Sequence, residues 1–212
     1  MGLAVEVGML AYLNENDAEG AGWLRESLNK VNGVLDENDL PIHSEPDSLP
    51  FLRSRASIDS YPYSFLHHLR RFAAHALTKP NWMPKPFPES EDPADDPVVA
   101  SESAMLNSHL LCHSDCEGFY VPVEFAEPLL TDETRVPGGM LGSSFGLMWE
   151  LLSVSPVLGI KLADEKLPDS ETDRINDVVE AEGLFWIEHA VWISLYEAAR
   201  LSIEYQTAIC FT

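Results

Sequence analysis

Two histidines and two cysteines fall close together in the stretch HLLCHSDC: His109, Cys112, His113 and Cys116. Imidazole nitrogen and thiolate sulfur are the usual ligands of zinc, so the first chemistry to weigh is metal binding. The spacing suits it poorly. On a helix all four would share one face, but one straight helix cannot wrap four ligands around a tetrahedral ion. On a strand, His109 and His113 point one way and Cys112 the other. The paired Cys-x-x-Cys pattern is absent. The expectation is therefore no cofactor, and a β-hairpin with a buried cysteine. A metal held near His109 and His113 stands as the alternative.

A second pattern is GSSFG, Gly142 to Gly146, which matches G-x-S-x-G. In that motif a strained turn between a strand and a helix exposes a nucleophilic serine. Ser144 would be the nucleophile of a small hydrolase, with Asp173 or Asp177 and then His189 following in the required order. The preceding VPGGML is a poor strand, so the preferred reading is a helix capped by Ser143 or Ser144. PGGMLGSS could cradle a phosphate at a helix N-terminus, but it lacks the G-K-[ST] ending and has no lysine near it in sequence. Arg53, Arg55, Arg70 and Arg71 form the one basic concentration, suited to neutralising internal carboxylates or holding an anion. His67, His68 and His75 read as solvated or capping side chains.

Charge narrows the function classes further. The chain of 212 residues has 35 Asp and Glu against 13 Lys and Arg, a net charge of -22. A nucleic-acid binder needs a positive face, and this chain would repel phosphates and anionic membranes alike. Basic partners are favoured. Asp115, Glu117, Glu124 and Glu127, on or just beyond the expected hairpin, are the candidate partner-binding residues. The competing reading is that such a run is only a solvated face. Three cysteines are not a disulfide framework. No apolar run reaches the roughly 18 residues of a membrane helix, and no signal sequence stands at residues 1 to 13, so the expectation is a soluble cytoplasmic protein.

The elements that would position these residues follow from periodicity. Residues 18 to 38 read as an amphipathic helix with Leu24, Leu28, Val31 and Leu35 in one stripe. Leu3 to Leu13 fits either a strand or a short helix. A helix starting at Pro62 would bury Phe65, Leu69, Phe72, Ala73 and Ala76. Residues 79 to 98, rich in proline and acid, exclude helix and sheet. Their Trp82, Met83 and Phe87 predict an ordered strap with a solvated tail at 89 to 96. FYVPVEF, residues 119 to 125, predicts a strand, at an edge or bulged because of Pro122. HLLCH is its expected hairpin partner. A capping-box spacing, Ser170 to Asp173, opens a helix that ends at Gly183. Residues 185 to 205 are apolar on most sides and predict a central helix, with Glu197, Arg200 and Glu204 as its polar stripe. TAICF reads as a last strand. The whole predicts one α+β domain over 1–212, with several amphipathic helices packed around a small, mainly antiparallel sheet that contains a hairpin near 109–125.

LLCHSDCEGFYVPVEF, PGGMLGSS and AARLSIEYQTAICF together resemble a family of uncharacterised bacterial proteins, over most of the chain. That resemblance implies no activity and carries no site residue. Size, acidity and the lack of a catalytic signature are similar to those of bacterial immunity proteins, a likeness of type. The reading is a non-enzymatic binding protein of immunity or inhibitor type that meets a basic protein, such as a toxin, through an acidic face.

Overall fold

A computed structural model describes residues 2–79, 81–88 and 91–212. The N-terminal stretch that fits both strand and helix is both in turn: β1 (Gly2–Val7) runs into α1 (Met9–Asn16) through Gly8, whose φ of 77° suits a residue without a Cβ. Asp17 then caps α2 (Ala18–Glu37), accepting from the N–H of Glu19 and Gly20. β2 (Ser60–Pro62) precedes α3 (Ser64–Thr78), so Pro62 ends a strand and does not open the helix. α4 (Pro97–Ser103), β3 (Gly118–Val121), β4 (Leu129–Leu130) and β5 (Met140–Ser143) follow. The chain closes with α5 (Ser144–Val154), α6 (Asp169–Glu180), α7 (Trp186–Tyr205) and β6 (Ile209–Phe211).

The strands form one mixed sheet in the order β2-β1-β6-β3-β5-β4. Only β3 and β5 pair in parallel; the other neighbours are antiparallel. The class is α+β. Strand alternation builds a core on each face of the sheet. Phe119, Val121 and Cys210 pack against the α2 stripe of Leu24, Leu28, Val31 and Leu35. Tyr120, Ile209 and Phe211 face the opposite way, into the core made with α3, α5, α6 and α7. α7 is the most enclosed helix, with Val191, Trp192 and Ile193 fully buried.

The hairpin near 109–125 does not form. β3 is an interior strand between β6 and β5, and Pro122 lies just past its end. Residues 109 to 111 are a turn, because side chains from distant elements take up the backbone groups a hairpin would have paired. Glu150 of α5 accepts from the N–H of His109 at 2.6 Å and of Leu110 at 2.9 Å. Tyr120 donates to the carbonyl of His109, and Arg70 to those of Leu110 and His113. α6 starts at Asp169 behind Pro168, with no side-chain cap, so the Ser170 capping box is not used.

The stretch expected to exclude helix contains a 3-10 turn, Pro93–Asp95, and the start of α4 at Pro97, because Asp92 and Asp96 cap these two elements and proline suits a first helical turn. Trp82 packs edge-on to Phe72 and stacks on His75, and the Arg71 guanidinium lies over the rings of Trp82 and Phe87. Met83 is exposed. The expected solvated tail is fastened over residues 91 to 96 by Asp92 and Asp96; its Glu89 and Ser90 lie outside the described residues.

Candidate functional site

The chemistry-bearing motifs resolve into packing. Ser143 is the cap of α5: its Oγ accepts from the N–H of Gly146. Ser144 is fully buried, its Oγ 2.7 Å from that of Ser202. The two glycines of GSSFG are steric requirements. A Cβ on Gly142 would stand 2.2 Å from the Tyr120 ring, and one on Gly146 would stand 2.1 Å from the His109 ring. His189 bonds to the carbonyl of Phe185, and Asp173 and Asp177 lie on the exposed side of α6, so Ser, Asp and His are not assembled as a triad.

His109 accepts the N–H of Ser143 at 3.1 Å and packs on Phe125, while His113 stacks on Tyr120 and meets Phe211 edge-on. Burial holds both imidazoles down to about 4. Cys112 is partly buried and Cys116 exposed. Among the described residues no group of three or more His, Cys, Asp or Glu is disposed to hold a metal ion.

Charge is organised more sharply. Most of the scarce cations are spent on carboxylates of the same chain. Glu197, fully buried on α7, is gripped by Arg55 at 2.6 Å and Arg200 at 2.7 Å. Burial pushes its carboxyl up, and the hydrogen bonds from Arg200 and Arg55 more than cancel this, holding it below the usual carboxylate range. Arg70 pairs with Asp115, Arg71 with Asp96, Arg135 with Glu37, Arg174 with Glu171 and Arg25 with Asp47. The basic concentration at Arg53, Arg55, Arg70 and Arg71 thus neutralises internal carboxylates at three of its four positions. His67 and His75, expected to be solvated or capping, also meet carboxylates.

What remains outside is predominantly negative, with Arg53, Lys79, Lys85, Lys161 and Lys166 among the exposed cations. Of the four expected partner-binding residues, Glu117, Glu124 and Glu127 are exposed and have no ion-pair partner among the described residues. Asp115 is committed to Arg70 and His67. Burial opposes its charge, but the His67 hydrogen bond and the Arg70 charge bring its carboxyl down to about 2.

A row that the sequence reading overlooked lies on α6. Asp169, Asp173, Asp177 and Glu180 are all exposed, while Thr172, Ile175 and Val179 are buried. At 100° per residue the four acids span about 80° of the helix surface, and steps of four residues advance about 6 Å. Asp169 meets Arg55; Asp173, Asp177 and Glu180 have no ion-pair partner among the described residues. The signal was the i, i+4, i+8, i+11 spacing of acids. The last turns of α2, with Asp36 and Glu37, and of α6, with Glu180, carry no basic residue. Carboxylates there oppose the helix dipole, and of these Glu37 is offset by Arg135.

Fold and surface together define a class: an α+β protein that spends its cations on its own carboxylates and turns rows of unpaired carboxylates to solvent. The chain belongs to the family described as "Putative DNA-mimic protein", whose model matches residues 1–211. No curated protein and no solved structure matches it. Family membership replaces the likeness to immunity proteins, which it does not carry. Among the described residues no helix is long and apolar enough to cross a membrane.

Proposed function

We propose that this protein is a non-enzymatic DNA mimic: it occupies the DNA-binding face of a basic protein with carboxylates standing where phosphates would. The single observation that carries this reading is the unpaired row Asp173, Asp177 and Glu180 on α6, on a chain of net charge -22. Each duplex strand offers about one charge per 3.4 Å of axis. One helical row at about 6 Å per carboxylate reaches roughly half that density, so a second patch has to contribute. Glu117, Glu124 and Glu127 are the candidates for it; Asp115 is paired with Arg70 and His67. Solubility alone gives no reason to end helices in acid where the dipole penalises it.

The test is affinity capture from the native cell, with elution by duplex DNA and identification of the eluate by mass. The expected eluate is a DNA-binding protein that duplex displaces. A partner that duplex cannot displace, or an acidic one, overturns the reading. A captured DNA-cleaving toxin would make immunity the special case of the same chemistry. Charge reversal then separates the patches: Asp173→Lys with Asp177→Lys and Glu180→Lys, against Glu117→Lys with Glu124→Lys and Glu127→Lys. Each set is expected to weaken capture and leave the fold intact.

A further inference from the structure

One imidazole stands between two carboxylates that belong to different parts of the chain. His67 of α3 places Nδ1 3.2 Å from Asp92 Oδ1 on the strap, and Nε2 2.9 Å from Asp115 Oδ2 ahead of β3. A neutral imidazole has one N–H and one lone pair, so it can donate to only one of these oxygens and must set its lone pair against the other. The imidazolium ion donates to both. We propose that His67 is a proton-operated tie, which fastens the strap near Asp92 to the segment ahead of β3 while protonated and releases it there when the proton is lost.

The asymmetry of the partners decides which side lets go. Asp115 is also paired with Arg70, a permanent cation, and stays on α3 whatever His67 does. Asp92 has no other ion-pair partner among the described residues. Its Oδ1 also accepts the N–H of Ala94 and so caps the short 3-10 turn Pro93–Asp95. Four residues on, Asp96 is fixed by Arg71 at 3.0 Å and faces His75 at 2.9 Å. The piece set free is therefore the turn around residues 92 to 95, hinged at Asp96.

The groups facing His67 are Asp115, Asp92 and Arg70. The hydrogen bond to Asp115, with that to Asp92, raises its affinity for the proton; burial and Arg70 oppose without winning. A histidine with a raised pKa in the folded state contributes fully below its ordinary value of 6.5. That contribution is lost as pH rises through the raised value. The turn at residues 92 to 95 is thus tied in mild acid and freed on the alkaline side, while the rest of the strap stays packed. This inference does not depend on the identity of the partner.

The experiment uses the full chain. Imidazole nitrogen resonances report the protonation of His67, and amide protection factors at Ala94 and Asp95 report the turn, across about pH 6 to 9. Both ring nitrogens are expected to be protonated at the acid end. Protection should then fall by about tenfold for each unit by which the His67 pKa in the native chain exceeds its value in Asp92→Asn, where only Asp115 still holds the ring. His67→Gln, which offers one donor group and one acceptor, should make protection independent of pH. Asp92→Asn keeps the cap oxygen but removes the charge, and should lower the His67 pKa while Arg70 still holds Asp115. A singly protonated ring at the acid end, or protection in the native chain that does not change with pH, overturns the proposal.

Discussion

Glu150 shows how much a single buried carboxylate organises. Burial pushes its proton affinity up, and the three donors at Ser108, Leu110 and His109 only partly offset this. Those donors hold the segment that was expected to be a strand. Glu150→Ala would strand them without an acceptor, at about 1–3 kcal/mol each. The expected loss is therefore about 3 kcal/mol or more by urea denaturation, whereas Glu150→Gln keeps an acceptor oxygen and should lose less. The histidines make a pH prediction. Burial holds His109 and His113 down to about 4 in the folded chain, against an ordinary 6.5. Between those values the unfolded chain binds protons that the folded one refuses. Stability is therefore full above about pH 6.5 and is lost as pH falls toward 4, by up to about 3 kcal/mol for each histidine. A chemical melt repeated across that range checks the slope, and a flat profile would contradict the burial of these rings.

At the scale of elements, α7 and the start of α5 are the parts on which the rest depends. Val191 and Leu201 lie about 80° apart around α7, and both are buried. Val191→Asp and Leu201→Asp each bury an unpaired charge and should abolish cooperative folding, read by circular dichroism and solubility. Glu204→Gln, at the exposed end of the same helix, removes a pair with Arg200 that is worth only about 0.3–0.5 kcal/mol. Ser143→Ala removes the cap of α5 and also the hydroxyl's bond to the carbonyl of Val123. The expected cost is about 1–2 kcal/mol, measured as a shift in the denaturation midpoint. Labelling of buried Ser144 by a serine-directed phosphonate is not expected; if it occurred, the cap reading of this loop would fall.

At the scale of the whole molecule, the surplus of carboxylates governs how a partner arrives. Exposed charges are screened beyond a Debye length of about 10 Å at 0.1 M salt. Rising salt should therefore slow association with the captured partner far more than it speeds dissociation, as stopped-flow mixing at several salt concentrations would show. Equilibrium binding should weaken with salt in the manner of that partner's own binding to duplex. Association insensitive to salt would reduce the acidity to a solubility device.

Local pattern by itself determined a good deal of this protein. Net charge comes from composition. The α2 stripe, the central α7 and the final strand at 209–211 follow from periodicity that any local window contains. A serine cap for α5 was legible for the same reason, though the choice between Ser143 and Ser144 was not. The tertiary structure alone decided what residues 109 to 113 would be, because their backbone partners are Glu150, Tyr120 and Arg70, and no local pattern announces a carboxylate some forty residues away. It also decided that β3 would lie inside the sheet, since Cys210 and Leu141 flank Phe119 from opposite ends of the following sequence. Above all it decided which acids are free. Arg55 finds Glu197 across 142 residues and Arg70 finds Asp115 across 45. Composition counts the charges, but only the folded chain settles which are cancelled and which face the solvent.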